Sequence, residues 1–287
     1  MGWLDRYVFG VAVQSAGSLL PQRAAINFVS GATVADDSSN NRTNVTIDVT
    51  GARRAIDANT KHAFYCNDTS GTGLADYGTE PTNTMILAGS AYTSYYLGAN
   101  RPFSRGTKGL HLLADIAARG AQSNVTSMAS GPFTLEAFVV LSEQLSYDSL
   151  VNMIVAIDDG TANNVLQLGI VNGPYVFAGM IRGGTDKNTT VPYATTNKTV
   201  QFGVPMHIAC VWDNTATPKL KVYLNGVLAG DNNEPTDNWA VSLTRATIGN
   251  RGALDNAFRG WIGEVRISNI ARSQAQMLTN AEICFAL

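Results

Sequence analysis

HIACVWDNTATPKLKVYLNGVL, residues 207–228, is the stretch that decides the architecture. Leu220, Val222 and Leu224 are apolar on every second position, with Lys219, Lys221 and Tyr223 between them. That period belongs to an antiparallel strand with one buried and one wet face. Asn225-Gly226 follows at once and Val227-Leu228 resumes the apolar run, so the dipeptide is expected to supply the positive φ angles of a type I′ hairpin turn. Upstream, Ile208, Cys210 and Trp212 share one face while Ala209 and Val211 make the other apolar as well. Such a strand is expected at the centre of its sheet, covered on both sides. Pro218 and the Asn-Gly turn oppose a buried helix here.

Composition narrows the function. A chain of 287 residues with 45% hydrophobic content can bury one large β domain or two modest ones. The formal net charge is -2 and only 15% of residues are charged, so no basic field exists to hold nucleic acid or an anionic membrane surface. Cys66, Cys210 and Cys284 are widely spaced and match neither a zinc knuckle nor a redox pair. Cys210 reads as a small buried hydrophobe; a Cys66–Cys284 bridge has no support in the spacing. The start, MGWLDRYVFGVAVQSAG, carries Asp5-Arg6 at its front, and its apolar run is too short and interrupted for a membrane span.

Residues 1–58 differ from the rest and are expected to form a small β module of their own. A short strand at 26–29, a Ser30-Gly31 break, Thr33 to Ala35, a polar turn from Asp36 to Asn41 and a strand at 44–49 follow one another. Asp36 and Asp37 read as turn formers. So small a unit buries little surface, and Trp3, Leu4, Val8, Phe9, Val11, Leu19 and Leu20 are expected to meet another subunit or a virion partner. The stretch LPQRAAINFVSGATVADDSSNNRTNVTID, residues 20–48, resembles a segment near the start of many tailed-bacteriophage virion proteins. The resemblance implies other virion proteins as partners, localisation in the virion and a homo-oligomer, with a trimer as the guess.

From residue 59 to 287 a second domain is expected. Short strands between turns fill 59–130, and Leu110 to Ala118 suits a helical turn or a strand equally. Strands are then read at 133–141, 151–157, 164–170, 175–182, 198–202, the 207–228 stretch, 242–249 and 261–268. Many closely spaced strands with turn residues between them point to an all-β antiparallel sandwich. One helix ends the chain: Ser273 with Gln276 forms a capping box, and Met277, Leu278 and Ile283 lie near one face.

FTLEAFVVL (133–141), HIACVWD (207–213), LKVYLNGVLAG (220–230), ATIGNR (246–251) and FRGWIGEVRISNIARSQAQM (258–277) resemble, in order and style, the concanavalin A-like jelly rolls of the laminin G-like type. The resemblance spans roughly residues 60–287. It implies a jelly-roll sandwich with 261–268 as a late strand and the helix as a packing lid. Many relatives carry an Asp-Glu pair where this chain has Gly263-Glu264, so one carboxylate is missing.

Chemistry is sparse. Glycan-cleaving enzymes of this fold place carboxylates closely on one strand, and no glutamate here has an Asp two residues on. Glu136 and Glu264 stand singly in strands and read as outward-facing residues or halves of ion pairs; His207 reads as a hydrogen-bonded structural imidazole. No catalytic residue, metal ligand set or cofactor is assigned, and an enzyme is not expected. Calcium stays open as an alternative because Asp68, Asp76, Asp158, Asp159 and Asp213 lie in or beside loops. For saccharide the loop DNNEPTDNWAV is the candidate, with Trp239 stacking on a sugar and Asn232, Asn233 and Asp237 bonding its hydroxyls; burial of Trp239 is the competing reading. Two functions follow, a virion structural protein of fibre, spike or capsid-decoration type and, as the alternative, a carbohydrate-binding receptor-recognition protein that contacts the bacterial surface, with a glycan hydrolase the least favoured third reading.

Overall fold

The computed structural model describes residues 7–8, 11–12, 32–37, 42–47, 56–66, 73–80, 84–88, 109–112, 120–128, 131–142, 151–161, 163–171, 175–181, 194–232, 242–252 and 256–286. The chain divides into two compact units, Met1–Arg53 with Ala286–Leu287, and Arg54–Phe285. In the first, β1 (Tyr7–Val8) pairs with β2 (Val11–Ala12), and β3 (Ala32–Asp37) with β4 (Arg42–Ile47), both antiparallel. The polar turn expected from Asp36 is shorter than that, because Asp36 and Asp37 still pair with Thr43 and Arg42. The strand expected at 26–29 lies outside the described residues.

The second unit is a sandwich of two antiparallel sheets. One contains β5 (Thr60–Phe64), β8 (Leu110–Leu112), β10 (Phe133–Leu141), β15 (Pro205–Trp212), β16 (Leu220–Leu224), β17 (Val227–Asn232) and β19 (Gly260–Ser268). Its order is β17-β16-β15-β10-β19-β5, with β8 also on β19. The other contains β6 (Gly73–Leu74), β7 (Met85–Ala88), β9 (Gly120–Met128), β11 (Val151–Asp158), β12 (Val165–Val171), β13 (Tyr175–Ile181), β14 (Ala194–Thr199) and β18 (Leu243–Ile248). Its order is β14-β13-β12-β11-β18-β9-β7-β6. Leu110–Leu112 is therefore strand, and the strand expected at 198–202 sits earlier, at 194–199, while Phe202 bridges to Leu141.

The alternation that marked the strands is the alternation that fills the core. Phe133, Leu135, Ala137 and Val139 of β10 and Ile208, Cys210 and Trp212 of β15 meet Leu166, Leu168, Ile170, Val176, Ala246 and Ile248 of the facing sheet. β15 is covered on its other side too, where Ala209, Val211 and Tyr223 pack on Met277 of α1 (Gln274–Ala286). Tyr223, expected to be wet, is buried by that helix, which pushes its hydroxyl pKa up. Asn225 and Gly226 take φ of 52° and 77°, as the hairpin turn demands. A Cβ on Gly226 would press into the Leu278 backbone, so the turn also seats the helix.

The helix begins with the expected reciprocal cap: Gln276 N donates to Ser273 Oγ at 3.3 Å, and Ser273 N donates to Gln276 Oε1 at 2.8 Å. Its buried face is Met277 and Ala281, one turn apart; Leu278, expected on that face, is exposed. In β19, Ile262 pairs opposite Val139 and Glu264 opposite Phe138, leaving Gly263 as the extra residue of a bulge. Among the described residues, no helix is long and apolar enough to cross a membrane.

Candidate functional site

Most of the residues singled out for binding fall outside the described ones: Trp239, Asn233 and Asp237 of the loop, Trp3, Leu4, Phe9, Leu19 and Leu20 of the first unit, and Asp68. Asn232 closes β17 at the margin of its sheet, opposite Leu220. Val8 pairs with Val11 across β1 and β2.

The four described aspartates considered for calcium each serve protein partners. Asp76 accepts from the amides of Ala63 and Gly78 and pairs with His62 Nδ1 at 2.7 Å. Burial pushes its carboxyl up, but those bonds outweigh burial and hold it below the usual value. Asp159 accepts from Thr161 and Asn164, and Asp213 from Thr215, each closing its own turn. Among the described residues no three His, Cys, Asp or Glu side chains converge as metal ligands. Cys66 and Cys210 are buried, and burial raises the Cys210 thiol to about 12.

The two strand glutamates are consumed by structure. Glu136 is fully buried: Oε2 accepts from Asn280 Nδ2 of α1 at 2.7 Å and lies 3.1 Å from His207 Nε2, while Arg272 Nε is 3.3 Å from Oε1. Arg272, also buried, grips Asp57 with both Nη groups at 2.7 and 3.0 Å and reaches Thr60 and Ser268. Glu264 pairs with Arg266 Nε, whose guanidinium lies 6.0 Å from the Tyr65 ring centroid. Both carboxylates are thus held by cations in a covered layer, the arrangement of an ion pair and not of a general acid.

The opposite outer face, that of the eight-stranded sheet, is arranged differently. Across adjacent strands β7, β9, β18, β11 and β12, one register row carries Ile86, Gln122, Thr247, Ala156 and Gln167. The next carries Asn124, Arg245, Asp158 and Val165. With strands about 4.8 Å apart, the longer row spans roughly 19 Å. Arg245 Nε donates to Asp158 Oδ1 at 2.7 Å and Gly160 N donates to the same oxygen at 2.7 Å. Asp158 Oδ2 and Gln167 Oε1 are buried acceptors with no hydrogen-bond partner among the described residues. Desolvation raises the Asp158 pKa, with Arg245 opposing.

Residues 249–252 and 256–258, between β18 and β19, lie against one side of this track. Asn250 Oδ1 accepts from Arg251 N and Asn256 N, and Met153 N donates to Asn256 O at 3.0 Å, which fixes the loop to β11. Gln122 Nε2 donates to Thr247 Oγ1 at 3.2 Å and reaches Gly252 O at 3.4 Å. A Cβ on Gly252 would collide with Arg245 Nη2 and Asp158 Oδ2, so a side chain there would have to displace the ends of those two side chains. Beside the polar groups, Met153, Ala156, Val165 and Phe177 form a small apolar cluster on the same outer face.

Sequence reading missed this track because β9, GAQSNVTSM, has few apolar residues to announce a strand. Its signal is the alternation of Ala121 inward with Gln122 and Asn124 outward, weak on any hydropathy count. Trp261 was missed too; alternation with core residue Ile262 places it outward in β19, stacked on His111 at 4.1 Å and 2°.

With this geometry in hand, the chain belongs to the concanavalin A-like lectin/glucanases superfamily, whose laminin G-type family matches residues 117–277. Its fold is similar to domain 4 of AbnA, a GH43 extracellular arabinanase from Geobacillus stearothermophilus solved with arabinotriose. That likeness has 17% identity, covers 78% of this chain and 98% of the other, and has a TM-score of 0.54. It is also similar to the receptor binding domain of botulinum neurotoxin C/D mosaic serotype (13% identity, 78% and 51% covered, TM-score 0.55). The serotype D ligand binding domain, solved with N-acetylneuraminic acid, is another (14% identity, 78% and 50%, TM-score 0.52). The match spans about half the length of the neurotoxin chains. No curated protein matches the chain significantly.

Proposed function

We propose that the chain is a carbohydrate-binding display protein of a tailed-bacteriophage virion: residues 1–58 attach it to other virion proteins as a homo-oligomer, and the jelly roll holds a host-surface saccharide without cleaving it. The observation that carries the binding half is the accessible end of the eight-stranded sheet's outer face, where Gln122 and the exposed Asn124 of β9 stand beside the exposed Ile86 of β7. Two proteins of similar fold hold arabinotriose and N-acetylneuraminic acid in their solved complexes, which supports a saccharide as the ligand. The virion half rests on residues 20–48. The non-hydrolytic half rests on Glu136 and Glu264, both tied to arginines.

Trp239 with Asn232, Asn233 and Asp237 is retained as a second contact loop. The test is one glycan array probed with the full chain, with and without a chelator, alongside a reducing-end assay on host surface polysaccharide. Binding that survives chelation, weakens in Trp239→Ala and releases no reducing ends is expected. Absence of any bound glycan, or time-dependent release, overturns the proposal.

A further inference from the structure

Resting on the carbohydrate-binding reading, we infer that the accessible end of the eight-stranded sheet takes acidic saccharides, with the open edge of the Arg245 guanidinium receiving a sugar carboxylate beside Asn124 and Gln122. The inference comes from which donors the fold leaves open at the surface. A guanidinium is planar and has two edges that each present a parallel pair of N–H groups, one including Nε and one between the two Nη nitrogens. In Arg245 the first edge is committed, because Nε donates to Asp158 Oδ1 at 2.7 Å. Among the described residues neither Nη has an acceptor, and neither is sealed from solvent. The Arg245 side chain is 18% exposed, whereas that of Asp158 is 0%.

The neighbours turn that edge into a site. Asp158 pins the guanidinium from beneath, so a ligand meets a donor pair already held in place. Gly252 lies over the carboxylate, where a Cβ would run into Asp158 Oδ2, so the negative partner is covered while the cation reaches the surface. Asp159, the next carboxylate along the chain, is turned back on Thr161 and Asn164. Asn124 stands directly opposite Arg245 in the β9–β18 register and is exposed, and Gln122 is one outward position along β9; both amides can bond sugar hydroxyls. Ile86, 61% exposed and paired with Gln122, offers an apolar surface to the C–H face of a ring. A neutral hydroxyl can also accept from Arg245, but a carboxylate accepts two parallel bonds and brings the opposite charge, which makes each bond roughly twice as strong. The formal net charge of the chain is -2, so diffuse attraction of polyanions is absent and a preference for acid has to come from a local donor set.

The experiment uses the full chain at physiological ionic strength on matched pairs that differ by one carboxylate: lactose with sialyllactose, a neutral xylo-oligosaccharide with its glucuronic-acid-substituted form, and an acidic polysaccharide with its carboxyl-reduced form. The acidic member of at least one pair is expected to bind about fivefold or more tightly. Arg245→Gln removes the donor edge and should bring that ratio to about one, with the thermal melt monitored in parallel because Asp158 loses its cation. Asn124→Asp changes only an exposed side chain and places a competing carboxylate opposite Arg245, so it should abolish the preference in a protein that melts normally; if Arg245→Gln does not fold, this variant decides. Equal or tighter binding of the neutral member in every pair overturns the selectivity and leaves carbohydrate binding standing. A preference for acid that persists in Asn124→Asp places the anion elsewhere and also overturns the inference. If no glycan of either kind binds, the carbohydrate-binding reading fails, and this one with it.

Discussion

Arg272 is where the most separated parts of the jelly roll are tied together. Its guanidinium touches Asp57 just before β5, Thr60 within it, Ser268 at the end of β19 and Glu136 in the middle of β10. Cutting it away leaves Glu136 buried with a charge and one cation fewer, and breaking a buried pair costs about 3–5 kcal/mol. Arg272→Met is expected to lower urea-unfolding stability by that amount with an unchanged m-value. Asp57 reports on the same contact through pH. The Arg272 hydrogen bond is the main cause that holds its carboxyl at about 2, below the 3.8 of the unfolded chain. A depressed acid stabilises the fold above its unfolded pKa and loses that contribution as pH falls through the folded one. Acid titration of the melting temperature should therefore fall between pH 4 and 2, and the fall should be shallower in Asp57→Asn; equal slopes would remove Asp57 from the account. Asp158 has the opposite sign, because its raised pKa makes the folded state take up a proton more readily, so its contribution improves as pH drops towards its folded pKa.

At the scale of elements, α1 determines what becomes of one whole sheet face. Met277 and Ala281 cover Ala209, Val211 and Tyr223, and Asn280 completes Glu136. Met277→Ala is expected to destabilise the domain by about 2–5 kcal/mol through lost contacts and a cavity. Leu278→Ala, one residue on but exposed, should change stability by less than about 0.5 kcal/mol. Chemical denaturation of the two variants side by side checks the orientation of the helix. The hairpin turn makes a linked demand: Gly226→Ala places a side chain at a φ of 77° and against the backbone of Leu278, and should cost more than the same change at an open turn.

For the whole molecule, the question is where the jelly roll starts. The sequence suggests residue 59, whereas Asp57 bonds into the domain and the compact unit runs from Arg54. On the virion role proposed above, a chain truncated to begin at Arg54 is expected to melt cooperatively, to be monomeric and not to attach to particles. One beginning at Ala58 should melt lower by about 2–4 °C, the shift that about 1 kcal/mol produces in a domain this size. Light scattering, calorimetry and incorporation into virions separate the outcomes. If the Arg54 form stays oligomeric and still decorates particles, the attachment surface lies on the sandwich.

Taken by itself, the sequence determined the strands whose two faces differ in polarity, because a period of two written in apolar residues has one physical reading. β10, β16 and β19 were legible this way and β15 by apolar residues on both faces, as were the Asn225-Gly226 turn, the Ser273 cap and the family by their motifs. His207 is the hydrogen-bonded structural imidazole that the sequence favoured, whereas for Glu136 the sequence left an outward-facing residue and half of an ion pair both open, and the structure has the ion pair. Only tertiary structure decided what covers a face. Nothing local in LKVYL says that Tyr223 lies under a helix fifty residues on, or in GAQSNVTSM that a polar strand runs through the middle of a sheet. Likewise Asp158, Arg245, Gln122 and Gln167 are scattered over 124 positions and become one surface through strand order, since register across a sheet is set by pairing partners that no single segment contains.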